Sequence, residues 1–246
     1  MTMNSKPALE TALNHRSIRK FTQQPIEAEV LQQVLTAGQM ASTSSFLQSV
    51  SVIRVTDMEK RRRLREICAG NVPNGHHYVE NCAEFLVFCM DSARHHHYAP
   101  EAQTDWIEVL LTGAVDTALF AQNVLLTAES LGLGGVYIGG IRNDIQAVSE
   151  LLAIPPHVVP VVGMCLGYPD HHPNQRPRLP LSAILSENTY QLADGETLAA
   201  YNQTVHEYYQ TRKLDLTWQQ QIQSSLYAEL RPELLAYLQK QGFAKR

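Results

Sequence analysis

This sequence of 246 residues lacks CxxC cysteine pairs, an excess of one charge and long uninterrupted apolar runs. The net charge is −4 at pH 7, so neither nucleic acid nor a membrane is expected as a partner. The four cysteines form no CxxC pair, which favours a reduced, cytoplasmic setting. The first 25 residues contain no basic-then-apolar signal pattern, so no targeting segment is expected there.

The most apolar segment, 109–131, has the length of a membrane span, but polar residues interrupt it. These residues are Asp116, Gln122, Asn123 and Glu129. Polar and charged groups are costly in lipid, so the segment is predicted to be a helix of a core or of a subunit interface.

Familiar catalytic and metal-binding motifs are also lacking: there is no GxSxG, P-loop or HExxH pattern. Seven of the ten histidines occur in the adjacent runs 76–77, 95–97 and 171–172, whose side chains diverge, so most of these are interpreted as loop histidines and no metal site is predicted. The glycine-rich stretch 132–140 follows a predicted helix and has Tyr137 in place of a third glycine, which argues against a dinucleotide fingerprint.

What the sequence does contain is an alternation of helical and strand patterns. Helical spacing and end signals predict helices over 7–13, 25–38, 108–131 and 143–152, and short β-branched or apolar runs predict strands over 50–57, 83–91, 132–140 and 158–169. From 186 onward only helices are predicted. This pattern indicates an α/β or α+β sandwich, organised as one domain (1–246) with a helical C-terminal arm (186–246).

Two basic clusters are candidates for an anion site. His15, Arg16 and Arg19 surround Ser17 in HRSIRKF, and the second cluster is the RPR sequence at 176–178. An arginine fork matches two phosphate oxygens at once, although each cluster is equally interpretable as a solvated basic turn. Between the clusters, Gly139 and Gly140 end a short apolar strand, where a missing Cβ allows a backbone to approach a flat ligand.

The ordered set HRSIR, SSFLQ, GGVYIGG and RPRLP resembles the nitroreductase superfamily. The chain is most similar to group A oxygen-insensitive NADPH nitroreductases and NADPH-flavin reductases. The resemblance implies an α+β sandwich with a central mixed sheet flanked by helices. It also implies an intertwined homodimer with non-covalent FMN at the dimer interface, and NADPH as electron donor.

The resemblance assigns roles to individual residues of this sequence. Cofactor-binding residues would be His15, Arg16, Ser17, Arg19, Thr43, Ser44, Asn71, Tyr137, Ile138, Gly139, Gly140, Arg176 and Arg178. Residues for the substrate or NADPH would be Ser45, Phe46, Arg142, Arg212, Lys213 and Arg231. Because the hydride chemistry takes place on the flavin, no side chain is expected to be catalytic.

The implied activity is ping-pong, two-electron reduction of nitroaromatics, quinones or related acceptors by an FMN-dependent NAD(P)H oxidoreductase. Two alternatives remain open: an NADPH-flavin reductase that supplies reduced FMN to a partner, and a flavin-binding protein without turnover. The sequence does not identify the physiological acceptor.

Three positions depart from the family pattern. Arg176 stands where lysine is usual in the family. A glutamine that the family has near FMN has no clear match in this sequence, and Asn71 or His76 would take its place. The arm loop 211–218 is short, retaining Arg212 and Lys213 but adding Asp215, so NADH remains an alternative donor.

Overall fold

The computed structural model describes residues 6–72 and 75–246, which form helices and strands in alternation. The α-helices of these residues are α1 (Ala8–Leu13), α2 (Ala28–Gln39), α3 (Met58–Ala69), α4 (Tyr78–Asn81), α5 (Ala93–Tyr98), α6 (Ile107–Ser130), α7 (Ile145–Leu151), α8 (Gly195–Gln210), α9 (Trp218–Leu226) and α10 (Leu234–Lys240). The strands are β1 (Val50–Val55), β2 (Glu84–Asp91), β3 (Gly134–Ile138) and β4 (Val158–Gly167).

The chain divides into two units. The first combines Met1–Pro173 with Arg231–Arg246 and contains the sheet, and the second is Asn174–Leu230. In the second unit, α8 begins at the cap Asp194 and α9 begins with a capping box formed by Thr217 and Gln220.

The sheet has the strand order β1-β2-β4-β3. Every residue of β2 is buried, as its continuous apolar run predicts. Side chains of α2 and α6 pack on one face, and those of α3 and α7 pack on the other. The predicted α+β class and the flanking helices are therefore confirmed. The expected mixed sheet differs from the sheet described, because all three strand pairings are antiparallel.

Three helices of the first unit, α3, α4 and α5, are not among the predicted helices. Helix α3 was not predicted, although Asp57 caps it by accepting the Glu59 and Lys60 amides, and Leu64 and Cys68 face the core. His95–His97 lie on α5, whereas the runs 76–77 and 171–172 lie outside helices and strands, so the interpretation of most of these histidines as loop residues is confirmed.

Helix α6 presents one apolar side to the core and another to solvent. Thr117, Ala121 and Val124 are buried, whereas Leu111 and Val115 are 59% and 48% exposed. The helix is therefore not buried all round. By length and composition alone α6 qualifies as a membrane span, a criterion that core helices of soluble proteins also meet.

All four cysteines are free and buried. Burial raises the pKa of the Cys68 and Cys89 thiols to about 12, so they behave as small apolar side chains.

Candidate active site

The N-terminal basic segment lies along the outer strand β3. The Ile18 amide donates to the Gly135 carbonyl at 2.9 Å, and Phe21 forms a bridge with Pro169. A Cβ on Gly134 would lie only 2.5 Å from the Ile18 side chain, so a glycine is needed for this close approach. These contacts fix the position from which residues 15–19 project.

Two side chains of this segment have local partners. His15 Nδ1 lies 2.7 Å from Glu129 Oε1 at the end of α6. Arg16 Nη1 donates to the Asn14 carbonyl at 3.0 Å, and its other donors remain available. Ser17, the next residue, is half-buried.

Arg16 also lines a small cleft of about 140 Å³. Lys6 and His172 line the same cleft, together with Glu129, which His15 already contacts. Pockets that enclose whole drug-sized ligands are typically about 300–1,000 Å³, so this cleft suits a small anionic group rather than an entire cofactor.

Arg19, which follows Ile18 in the segment, lies beside His76 and Tyr78. The rings of His76 and Tyr78 are 5.3 Å apart, and burial, followed by the charge of Arg19, lowers the pKa of His76. Asn71 is exposed. His76, rather than Asn71, is therefore the neighbour of the basic segment; residues 73–74 of the same stretch lie outside the described residues.

Strand β3 leads directly into a 3₁₀ turn, Gly139–Arg142, and both contain predicted site residues. The Tyr137 hydroxyl donates to Gln122 Oε1 at 3.2 Å, and burial raises the pKa of this tyrosine. Ile138 is buried in the core. The end of β3 that leads into the turn is consequently held by contacts within the fold.

The two glycines of the turn have different structural roles. A Cβ on Gly140 would lie 2.7 Å from the Cys68 carbonyl oxygen and 2.9 Å from its Cα, at the end of α3. A Cβ on Gly139 would meet only the flexible head of Arg142, at 3.4 Å. The absence of a Cβ at Gly140 therefore serves backbone packing, which differs from the prediction that both glycines admit a ligand.

We expect Gly140→Ala to lower the free energy of unfolding by about 1–3 kcal/mol, the usual cost of overpacking, because backbone atoms of α3 have to move. Gly139→Ala is the matched control and should change stability by less than about 0.5 kcal/mol. Urea unfolding of both variants measures the difference. Equal stability of the two variants would contradict the assignment of Gly140 to packing.

Two arginines approach the same turn. Arg231 Nη2 donates to Asn143 Oδ1 at 3.0 Å and lies 3.5 Å from the Gly139 carbonyl oxygen, while Arg142 Nη1 donates to the Val161 carbonyl. Burial, and then the charge of Arg231, lowers the pKa of Arg142. The buried Nε of Arg231 has no hydrogen-bond partner among the described residues, so it is a donor without a partner beside Gly139.

The serine-rich loop carries four further predicted residues. Thr43 precedes a 3₁₀ turn, Ser44–Phe46, in which Ser44 is half-buried and Ser45 is exposed. The presence of Phe46 and Leu47 predicts that one end of the loop is buried. These two side chains are 81% and 47% exposed, and the buried end of the loop is instead Ser49, which is 5% exposed.

The remaining predicted residues belong to the second unit. Arg176 and Arg178 are exposed, and Arg178 Nη1 donates to the Arg176 carbonyl at 2.8 Å. Arg212 lies 6.0 Å from the centre of the Tyr208 ring, and Lys213 is exposed. Both basic pairs are accessible to an anion.

Within the first unit, the fold thus brings three predicted groups to β3: the basic segment lies at Gly134 and Gly135 near the start of the strand, and the 3₁₀ turn and Arg231 lie at its C-terminal end. Pattern analysis missed several of their neighbours, namely Lys6, Tyr78, Glu129, Asn143 and His172. No local signal marks these residues, because each meets the site through a contact distant in sequence. An α+β sandwich with cations at both ends of a glycine-containing strand has the properties of an anion-binding protein.

Comparison with known proteins identifies the class further. The Nitroreductase family model matches residues 12–81 and 83–168, and the model of the Nitroreductase family, C-terminal domain, matches 176–246. The chain is 50% identical over 242 residues to the NADPH-flavin oxidoreductase of Vibrio harveyi, covering 97% of this chain and 98% of that protein. It is 47% identical over 243 residues to the oxygen-insensitive NADPH nitroreductase of Salmonella typhimurium, with coverage of 98% and 99%.

The structural comparison agrees. The solved structure of NADPH:FMN oxidoreductase from Vibrio harveyi complexed with NAD+ superposes with a TM-score of 0.90 at 48% identity, covering 97% of this chain and 99% of that one. The chain belongs to the nitroreductase family.

Proposed function

We propose that this protein is an FMN-dependent NAD(P)H oxidoreductase that reduces nitroaromatics, quinones or related acceptors by a ping-pong mechanism. The observation that carries the proposal is the placement of these groups along β3: the segment bearing Arg16 and Arg19 pairs with Gly135 near the start of the strand, and Arg231 approaches the Gly139–Arg142 turn that follows it. The names of the relatives, an NADPH-flavin oxidoreductase and an NADPH nitroreductase, support the same activity.

The residues present fit FMN. Its phosphate is a small dianion, which matches the donors of Arg16 and the positive charge of Lys6 at the 140 Å³ cleft. The unpartnered Arg231 Nε and the backbone of Gly139 offer donors at the end of β3. When bound, FMN supplies two-electron hydride chemistry, and the protein supplies binding, orientation and electrostatics.

The roles proposed for the individual residues follow the family resemblance. In the first unit, His15, Arg16 and Ser17 bind the phosphate and ribityl chain, and Arg19 with His76 faces the ring or the substrate. The 3₁₀ turn and Tyr137 orient the ring, while Ser45, Phe46, Arg142 and Arg231 line the acceptor side. In the second unit, Arg176 and Arg178 are FMN-binding residues by the family resemblance, and Arg212 and Lys213 bind the donor, NADPH or NADH.

We also propose that the protein is a cytoplasmic homodimer in which residues 1–246 form one FMN-binding domain with the arm 186–246. The apolar side of α6 supports the dimer, because Ile107, Leu111, Val115 and Leu119 recur at four-residue spacing and are 44–59% exposed. Contiguous exposed apolar surface of this kind typically marks an interaction site.

The proposal is tested by purifying the protein and adding NADPH without oxygen. We expect a yellow protein whose flavin absorbance is bleached by NADPH and restored by an added quinone. A yellow protein that NADPH does not bleach would indicate flavin binding without turnover. A colourless protein that neither binds FMN nor oxidises NADPH would contradict the whole proposal.

A second function, flavin reduction for a partner, is favoured by the 50% identity to an NADPH-flavin oxidoreductase. Steady-state rates with a nitrofuran, a quinone and free FMN as acceptors distinguish the two functions. A kcat/KM for free FMN above those for the other acceptors would favour the flavin reductase.

A further inference from the structure

The loop 43–48 is held in an unusual backbone conformation. Ser45, Phe46 and Gln48 have φ values of +48°, +58° and +54°, in the left-handed region that non-glycine residues rarely adopt. Three such residues within four positions persist only when the surrounding structure holds them in place. The source of this restraint therefore lies outside the loop's own conformational preferences.

The start of the loop is held by a buried carboxyl group. Asp116, on α6, is only 3% exposed, and its Oδ1 and Oδ2 accept the Ser44 amide at 3.0 and 3.1 Å. Burying a carboxyl group is costly unless hydrogen bonds compensate it, and this one faces the backbone immediately before the left-handed residues. Asp116 thus links the loop to the longest helix of the fold.

The end of the loop is held by a histidine. His95, on α5, approaches the Leu47 carbonyl oxygen through Nε2 at 2.8 Å. This contact requires a hydrogen on Nε2, which both the corresponding neutral tautomer and the imidazolium carry. The two restraints flank Ser45 and Phe46, one on each side in sequence.

We propose that Asp116 and His95 are positioning residues that hold the 43–48 loop in its left-handed conformation and so fix Ser45 and Phe46 for the acceptor. The part concerning the acceptor rests on the proposed function, whereas the restraint itself rests on the geometry alone. Both residues contact the loop backbone, so each acts through the loop. Phe46, which is 81% exposed, has little packing of its own in the chain to hold it.

The restraint is tested by hydrogen–deuterium exchange of the peptide that spans 43–48, in the purified full-length protein. Asp116→Ala is expected to speed exchange of this peptide at least tenfold, because the Ser44 amide loses its acceptor. Asp116→Asn keeps an acceptor oxygen and should restore most of the protection. Thr117→Ala is the matched control, since Thr117 is fully buried on the same helix and donates only to the Gly113 carbonyl.

His95→Ala provides a second variant with a smaller risk of misfolding, because His95 is only half-buried. It should speed exchange of the same peptide while leaving peptides of α6 unchanged. Unchanged exchange of the loop in both Asp116→Ala and His95→Ala, or equal acceleration in Thr117→Ala, would overturn the restraint.

Kinetics then test the purpose of the restraint. Asp116→Ala is expected to raise the KM for a quinone or nitrofuran about tenfold, with kcat changed less than threefold and with rescue by Asp116→Asn. Faster exchange with an unchanged KM would overturn the link to the acceptor. If the wild-type protein binds no FMN, the proposed function fails, while the exchange experiment still decides the restraint.

Discussion

Arg16→Ala is expected to weaken FMN binding roughly 10- to 150-fold, which corresponds to the ~1.5–3 kcal/mol of a hydrogen bond to a charged group. The guanidinium lines the small cleft beside Lys6 and His172, and one Nη1 donor is used by the Asn14 carbonyl. The remaining donors and the charge are therefore available to a phosphate. Alanine removes both, while the Ile18 amide still ties the segment to β3.

Fluorescence titration of the apoprotein with FMN measures this affinity. Lys20→Ala is the control. Lys20 is exposed on the same segment, so this substitution removes the same charge without removing a contact of the site. Arg178→Ala should weaken binding within the same range if the second basic cluster also serves the phosphate. Unchanged affinity in both arginine variants would refute the phosphate assignment, and an equal loss in Lys20→Ala would reduce it to a general charge effect.

The second large effect is expected at Arg61, which is 4% exposed on α3. Its Nε and Nη1 donate to the Val55 and Cys82 carbonyls at 2.7 Å, and Nη2 donates to Ala83 at 3.1 Å. Arg61→Met keeps much of the volume but leaves these carbonyls without their donor. We expect the free energy of unfolding to fall by more than about 3 kcal/mol, since each charged hydrogen bond contributes ~1.5–3 kcal/mol.

The next residue along α3 is the matched control. Arg62 pairs with Glu59, and their side chains are 52% and 77% exposed. Exposed pairs of this kind contribute little, so Arg62→Ala should change stability by less than about 1 kcal/mol. Urea unfolding followed by circular dichroism measures both variants. Similar losses for the two would show that the buried carbonyl contacts of Arg61 do not stabilise α3.

The sequence predicts the elements whose signals are local. The apolar run of β2, the β-branched run of β1 and the long apolar segment of α6 all lead to elements within a few residues of their predicted bounds. Helix α3 was not predicted, because a run of arginines separates its few buried apolar positions, such as Leu64 and Cys68, and weakens the helical pattern. Its cap, Asp57, was a local signal that predicts the start of a helix.

The candidate site is harder to predict because its contacts are distant in sequence. His15 meets Glu129 across 114 positions, and Ser44 meets Asp116 across 72. Gly140 illustrates a second difficulty: the sequence shows that a Cβ is absent but not which neighbour requires its absence. Only the fold places Cys68 there rather than a ligand.

The N-terminal segment has a consequence for the solubility of the protein. Strand β3 is an outer strand of the sheet, and the Ile18 amide donates to the Gly135 carbonyl on the side of β3 that pairs with no other strand of the described sheet. Uncovered strand edges pair readily with other chains and promote aggregation. The same short stretch, HRSIRKF, therefore both covers a strand edge and carries candidate anion-binding residues. A change that breaks its backbone pairing with β3 would impair solubility and anion binding together.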